Sequence, residues 1–188
     1  DPVSWLSTVV VDEVAFDIAA LAFDGTDRLF AISGTAQSPS TLYEINLVNG
    51  TTTTLGATGV DGMVGLDFHP GTGVLYGHAN PPSINFNNTL AIDGTGKAYS
   101  RDTNSNSLIR FDPLTGIVTR LGNLPNNDII ALAFSDTGNL YATTGSGGNA
   151  STLLEINPTN GSLIQNIGPI GYNSVTGLAF HPDTGVLY

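Results

Sequence analysis

Short apolar runs alternate with tight turns along this chain, and one run–turn–run pattern returns five times. Ile18 to Phe23 leads through Asp24-Gly-Thr-Asp27 to Leu29–Ala31, and Met63 to Phe68 leads through His69-Pro-Gly-Thr-Gly73 to Val74–Tyr76. Ile129 to Phe134 leads through Ser135-Asp-Thr-Gly138 to Leu140 and Tyr141, and Val175 to Phe180 leads through His181-Pro-Asp-Thr-Gly185 to Val186–Tyr188. A weaker copy runs from Thr89 to Tyr99. Two apolar strands around a turn rich in Asp, Gly and Thr predict a hairpin.

A second pattern follows three of the five. Thr41–Asn46, Ser107–Asp112 and Thr152–Asn157 each run into a turn ending in Gly50, Gly116 or Gly161, and then into another strand. In the first of these Leu42, Glu44 and Asn46 share one face while Tyr43 and Ile45 share the other, the period-two signature of a strand. Apolar spacing of three and four, which would predict helices, is absent.

Two hairpins in tandem make a four-stranded antiparallel unit. Phe23 and Phe68 stand 45 residues apart, Ile92 and Phe134 42, and Phe134 and Phe180 46. A period of roughly 40–50 residues with four strands marks a propeller blade. Small residues in the first strand (Ala20, Ala22, Gly65, Ala131, Ala133, Gly177, Ala179) fit strands crowded around a central axis. The expected fold is therefore all-β: a propeller or propeller arc of about four to five four-stranded blades, incomplete or closed by the N-terminal strand.

Two features depart from regularity. Phe68 and Ile92 are only 24 residues apart, and Gly77 to Asn88 holds Pro81-Pro82 and polar residues where a second hairpin belongs. An isolated apolar segment, Trp5 to Val11, precedes the first repeat and is placed to complete the last blade. The 1–188 chain is expected to be one propeller-type domain or a piece of a longer propeller. Unpaired terminal strands are adhesive edges, so a homo-oligomer or filament joined through them is the expected self-association.

The hairpin at 178–188, Leu-Ala-Phe-His-Pro-Asp-Thr-Gly-Val-Leu-Tyr, and the turn at 156–161, Ile-Asn-Pro-Thr-Asn-Gly, resemble the repeats of bacterial secreted propellers of the YVTN and NHL-like kind. The resemblance covers nearly everything from Ile18 onward and implies a fold without implying an activity. The glycine-histidine and tryptophan-aspartate marks of WD repeats are missing.

Charge narrows the partners. The chain carries 16 acidic and 5 basic residues, a net charge of -11. With no basic stripe to neutralise phosphates, nucleic acid is an unsuitable partner. There is no cysteine, hence neither a disulfide nor a thiolate metal site. No apolar run reaches the roughly 20 residues of a membrane helix. Ser, Thr, Asn and Gly take the place of Lys and Glu on the expected surface, a composition that points to a secreted, extracellular or cell-surface protein. Sequons at Asn49, Asn87, Asn149 and Asn160 match the N-glycosylation pattern, but Asn49 and Asn160 fall in Asn-Gly turns, where turn chemistry explains them.

Candidate chemistry is sparse. The Asp-Gly turns offer one or two carboxylates each, short of the six to eight oxygens that calcium takes; these aspartates should hydrogen-bond their own turns. His69 and His181 recur at one repeat position, which points to a turn role. Gly145-Ser-Gly-Gly148 opens no helix and is not a phosphate cradle. The strongest constellation lies six or seven residues before each landmark aromatic, where the chain enters the innermost strand: Asp17, Asp61, Asp128 and Asn173, with Asn88 in the short repeat. Oxygen ligands converging on one axis would take a hard cation such as Ca2+. A resemblance to gluconolactonase-like propellers implies a catalytic divalent metal in that channel. Two functions follow: first, a non-enzymatic extracellular binding or structural module that assembles through terminal strands; as the alternative, a metal-dependent hydrolase or lactonase. No catalytic residue is assigned on sequence alone.

Overall fold

The computed structural model describes residues 17–33, 39–79, 89–112, 115, 117–145 and 150–188. The segment Trp5 to Val11 and the candidate ligand Asn88 lie outside them. Among the described residues every element is a β-strand: β1 (Ile18–Phe23), β2 (Leu29–Ser33), β3 (Pro39–Ile45), β4 (Thr52–Asp61), β5 (Met63–Phe68), β6 (Leu75–Ala79), β7 (Ala91–Ile92), β8 (Ala98–Asp102), β9 (Ser107–Phe111), β10 (Val118–Asn123), β11 (Ile129–Phe134), β12 (Leu140–Thr144), β13 (Ala150–Ile156) and β14 (Leu163–Asn173). β1–β4, β7–β10 and β11–β14 form four-stranded antiparallel sheets in sequence order, and β5 and β6 form a two-stranded one. Residues 175–188 make a fifth inner hairpin, bridged between Phe180 and Leu187. The five inner and three outer hairpins of the sequence pattern are all present, and the second unit, two-stranded among the described residues, is the one with the irregular interval.

One aromatic contact repeats around the ring. The residue that ends each innermost strand packs on the second strand of the preceding unit. Phe68 meets Phe30 at 5.3 Å between ring centres, Phe134 meets Tyr99 at 4.9 Å, and Phe180 meets Tyr141 at 5.2 Å. In the third blade Ile92 takes the aromatic's place and clusters with Tyr76. Phe23 of the first strand meets Tyr188 of the last at 5.2 Å, which brings the fifth unit against the first. Such edge and tilted pairs add about 0.5–1.5 kcal/mol each beyond their buried area.

Hydroxyls stitch neighbouring units at the opposite end of the strands. Ser40 Oγ accepts the Met63 amide and Ser151 Oγ accepts the Val175 amide, both at 3.0 Å. Thr176 Oγ1 donates to the Ile18 carbonyl at 2.8 Å, across the seam between last and first units. At the axis the strands nearly touch: a Cβ on Gly65 would lie 2.6 Å from Leu90 Cβ, and one on Gly177 3.2 Å from Leu21.

The five inner turns share one device. Asp24 Oδ1 accepts the amides of Thr26 and Arg28, and Asp93 Oδ1 those of Thr95 and Lys97. Ser135 Oγ accepts the Asn139 amide. His69 Nδ1 and His181 Nδ1 do the same for Gly71 and for Asp183 and Thr184. The recurring histidines are therefore turn caps, chemically interchangeable with Asp and Ser as acceptors.

Two substitutions test this architecture by denaturant unfolding. Ser151→Ala removes the acceptor for Val175 and should cost about 1–2 kcal/mol. Gly65→Ala forces the axis apart and should cost about 1–3 kcal/mol; an unchanged midpoint would show that the axis yields freely.

Candidate functional site

Antiparallel order within each unit puts all five inner turns at one end of the ring and the starts of the innermost strands at the other. Asp17 immediately precedes β1 and Asp128 immediately precedes β11; Asp61 and Asn173 are the last residues of β4 and β14. These four candidate ligands thus share one mouth of the ring, as their repeat position suggests. Asp17, Asp61 and Asn173 are exposed and Asp128 is half-buried. Among the described residues, no three His, Asp or Glu side chains are gathered so that they could hold a metal ion. The carboxylates of Asp17, Asp61 and Asp128 therefore do not form one tight ligand set.

Arg101 braces this mouth. Its buried guanidinium donates from Nη1 to the Ile129 carbonyl at 3.1 Å, from Nη2 to the Asn127 carbonyl, and from Nε to Asn106 Oδ1 at 3.0 Å. Burial pushes its pKa down, and the nearby charges of Asp128 and Asp102 oppose that. The side chain fixes the segment that presents Asp128. Its repeat position gives no hint of this role, because Ile32, His78 and Thr143 occupy the matching places in the other units.

The axis between the two ends is nearly closed. Ala20, Leu21, Gly65, Leu66, Ala131 and Leu178 are among the residues around a gap of about 10 Å³, roughly one water in size. Toward the turn end it widens to a cavity of about 70 Å³ to which all five inner strands contribute, through Phe23, Asp67, Ile92, Phe134 and Phe180.

Asp67 is the ionisable residue in that lining. Its inner-strand position is alanine in every other unit (Ala22, Ala91, Ala133 and Ala179, all buried). Oδ2 accepts the Ile92 amide of the next blade, where β7 is only two residues long, and Oδ1 accepts the Phe68 amide at 2.8 Å. Burial pushes the carboxyl from 3.8 up to about 7, although both amide hydrogen bonds pull it down. A carboxyl in an axial cavity that exchanges its proton near neutrality has the properties of an acid–base group. The signal in the sequence was the break in the run of alanines.

The raised value fixes a pH dependence. Below pH 3.8 folded and unfolded chains both hold the Asp67 proton. Between there and about 7 the unfolded chain releases it while the folded chain keeps it, so stability falls as pH rises and levels off above about 7. Asp67→Asn removes this slope. In melting temperatures measured from pH 4 to 8, the variant should gain on the wild type up to about pH 7 and run parallel to it above; parallel curves throughout would contradict the assignment.

No protein-family model and no curated protein matches the chain. Solved structures do. The PQQ-bound aldose sugar dehydrogenase from Streptomyces coelicolor aligns with a TM-score of 0.56 at 15% identity, over 93% of this chain and 74% of that one. A putative gluconolactonase aligns at 0.56 and 14% identity, over 89% of this chain and 69% of that one. Hydrazine synthase from Kuenenia stuttgartiensis aligns at 0.53 and 12% identity, over 85% and 52%. The chain spans 48% and 59% of two further matched structures, about half their length. At such identities the likeness is one of fold, and with the ring of antiparallel units it identifies the fold as a propeller.

Proposed function

We propose that the protein works at the axis of its ring, as a hydrolase of small uncharged lactones or related esters. The observation that carries this reading is Asp67: a proton-exchanging carboxyl in a cavity to which all five inner strands contribute. As the carboxylate it would take a proton from an attacking water, and as the acid it would return one to the leaving ring oxygen. The cavity is far below the roughly 300–1,000 Å³ of a typical ligand site, which favours a substrate of few atoms. A net charge of -11 disfavours an anionic one. The structural likeness to a putative gluconolactonase supports the reading by analogy of fold. A divalent cation, with Ca2+ the first candidate, would sit at the opposite mouth. There Asp17, Asp61 and Asp128, with Asn173, would hold it loosely through water.

The test is hydrolysis of γ-butyrolactone and larger aldonolactones, with and without chelator. Wild type should turn over the smallest ring best, and Asp67→Asn should lose at least about 100-fold in kcat, the range of a general acid–base group. Activity unaltered in Asp67→Asn, or absent with every lactone, would overturn the proposal. Loss of activity on chelation, mirrored by Asp61→Ala and Asp128→Ala, would add the cation to it.

The outer strands favour a second reading, a secreted binding or structural module of the YVTN or NHL-like kind. β4 and β14 lie at the outer edges of their sheets and run 10 and 11 residues. Apart from Asp61 they are uncharged, and they leave Leu55, Val60, Leu163, Ile164 and Tyr172 exposed. Long uncharged edges invite strand addition, although bulges in both strands blunt it. Light scattering after size exclusion should show concentration-dependent oligomers on this reading; a monomer at every concentration would remove it.

A further inference from the structure

The turn-closing position before each second strand adopts a left-handed backbone. It is glycine in four of the five inner hairpins: Gly73, Gly96, Gly138 and Gly185, with φ of 65–84°. In the first hairpin it is Asp27, at φ 65°. The neighbouring sequences make the exchange plain: Asp24-Gly-Thr-Asp-Arg28 against Asp93-Gly-Thr-Gly-Lys97. A side chain there costs conformational energy that glycine avoids, and positions held in this way cluster where strain serves a purpose.

What Asp27 faces supplies the purpose. Its Oδ1 lies 3.5 Å from Nδ1 of His181, in the turn of the last hairpin. His181 also packs on Phe23 at 5.0 Å and beside Tyr188 at 6.4 Å, so it stands on the seam that joins the last unit to the first. The repeat contains its own control. His69 is the same turn cap in the second unit and faces the third, where the position equivalent to Asp27 is Gly96; a Cβ on Gly96 would run into the His69 ring. The carboxylate thus stands opposite a histidine at the ring-closing junction and is missing at the equivalent junction between the second and third units.

We propose that Asp27 and His181 form a proton-operated latch on the seam that closes the ring. With neutral imidazole, Nδ1 presents a lone pair to its own turn, accepting the amides of Asp183 and Thr184 at 3.3 and 3.4 Å. It then has no proton for Asp27, and two acceptors face each other. Protonation reverses this: Nδ1–H donates to Asp27 Oδ1, the two long amide bonds are released, and an ion pair bridges last and first units. The other charged and titratable groups around His181 leave the pairing open. Arg28 is engaged by Asp24 at 2.7 Å, Asp183 belongs to the His181 turn itself, and Tyr188 presents its ring. Protonation of His181 therefore tightens the seam.

Thermal unfolding of wild type, Asp27→Gly, His181→Asn and the double variant, at pH 5.5 and pH 8, tests the latch. At pH 8 Asp27→Gly should melt no lower than wild type, because glycine relieves the left-handed strain. At pH 5.5 wild type should gain about 2 °C or more on Asp27→Gly relative to pH 8, and this gain should vanish in the His181→Asn background. Replacing His69 by Asn should leave it intact. Titration of the other groups cancels in these differences. If a variant does not fold, imidazole ¹⁵N spectra of the wild type decide: Nδ1 should acquire a proton and hydrogen-bond at pH 5.5. An Nδ1 that stays an acceptor at pH 5.5, or an Asp27–His181 coupling equal at both pH values, would overturn the proposal.

Discussion

The contact between the residue ending each innermost strand and the second strand of the preceding unit holds the ring together. A single antiparallel hairpin is marginal in water because one of its faces has nothing to cover it. Here each unit covers the next through the same geometry, Phe68 on Phe30, Phe134 on Tyr99, Phe180 on Tyr141, and the series returns to its start with Phe23 on Tyr188. This contact is made by the inner hairpins alone, so it does not depend on the outer strands. Outer hairpins add area and edges; they do not close the ring.

Closure on so few units imposes a second constraint. Inner strands that pack flank to flank leave little room at their centre, hence Gly65 against Leu90 and Gly177 against Leu21. The axis is therefore a packed core with a small cavity at the turn end, unlike an open channel. A polar side chain admitted there must find partners, and Asp67 finds two amides, one belonging to the short strand β7. Its position bridges two blades and also places a titratable group at the point where all five strands converge.

Function in a repeat protein is best sought where a unit departs from its siblings, since what recurs is scaffold. Asp67 stands in a row of alanines, Asp27 in a row of glycines, and Arg101 among Ile32, His78 and Thr143. Each departure has a local cost: a buried carboxyl, a left-handed side chain, a buried guanidinium. Each is met by a partner on a neighbouring unit. His69 and His181, by contrast, recur and serve their turns, as Asp24, Asp93 and Ser135 do.

The sequence alone determined the strands, the turns and their grouping into units. These depend on interactions a few residues apart: alternation of side chains, acceptors two and four positions before the amides they cap, and glycines where the backbone turns left-handed. It also put Asp17, Asp61, Asp128 and Asn173 at one end of the ring, because strand direction follows from counting hairpins. Only the tertiary structure decided how far apart those residues stand, since that distance is set by how closely the units pack. The same packing made Asp67 axial and raised its carboxyl, and it brought Asp27 to His181 across 154 positions of chain. A residue's neighbours along the chain fix its conformation; its neighbours across the ring fix its protonation and its chemistry.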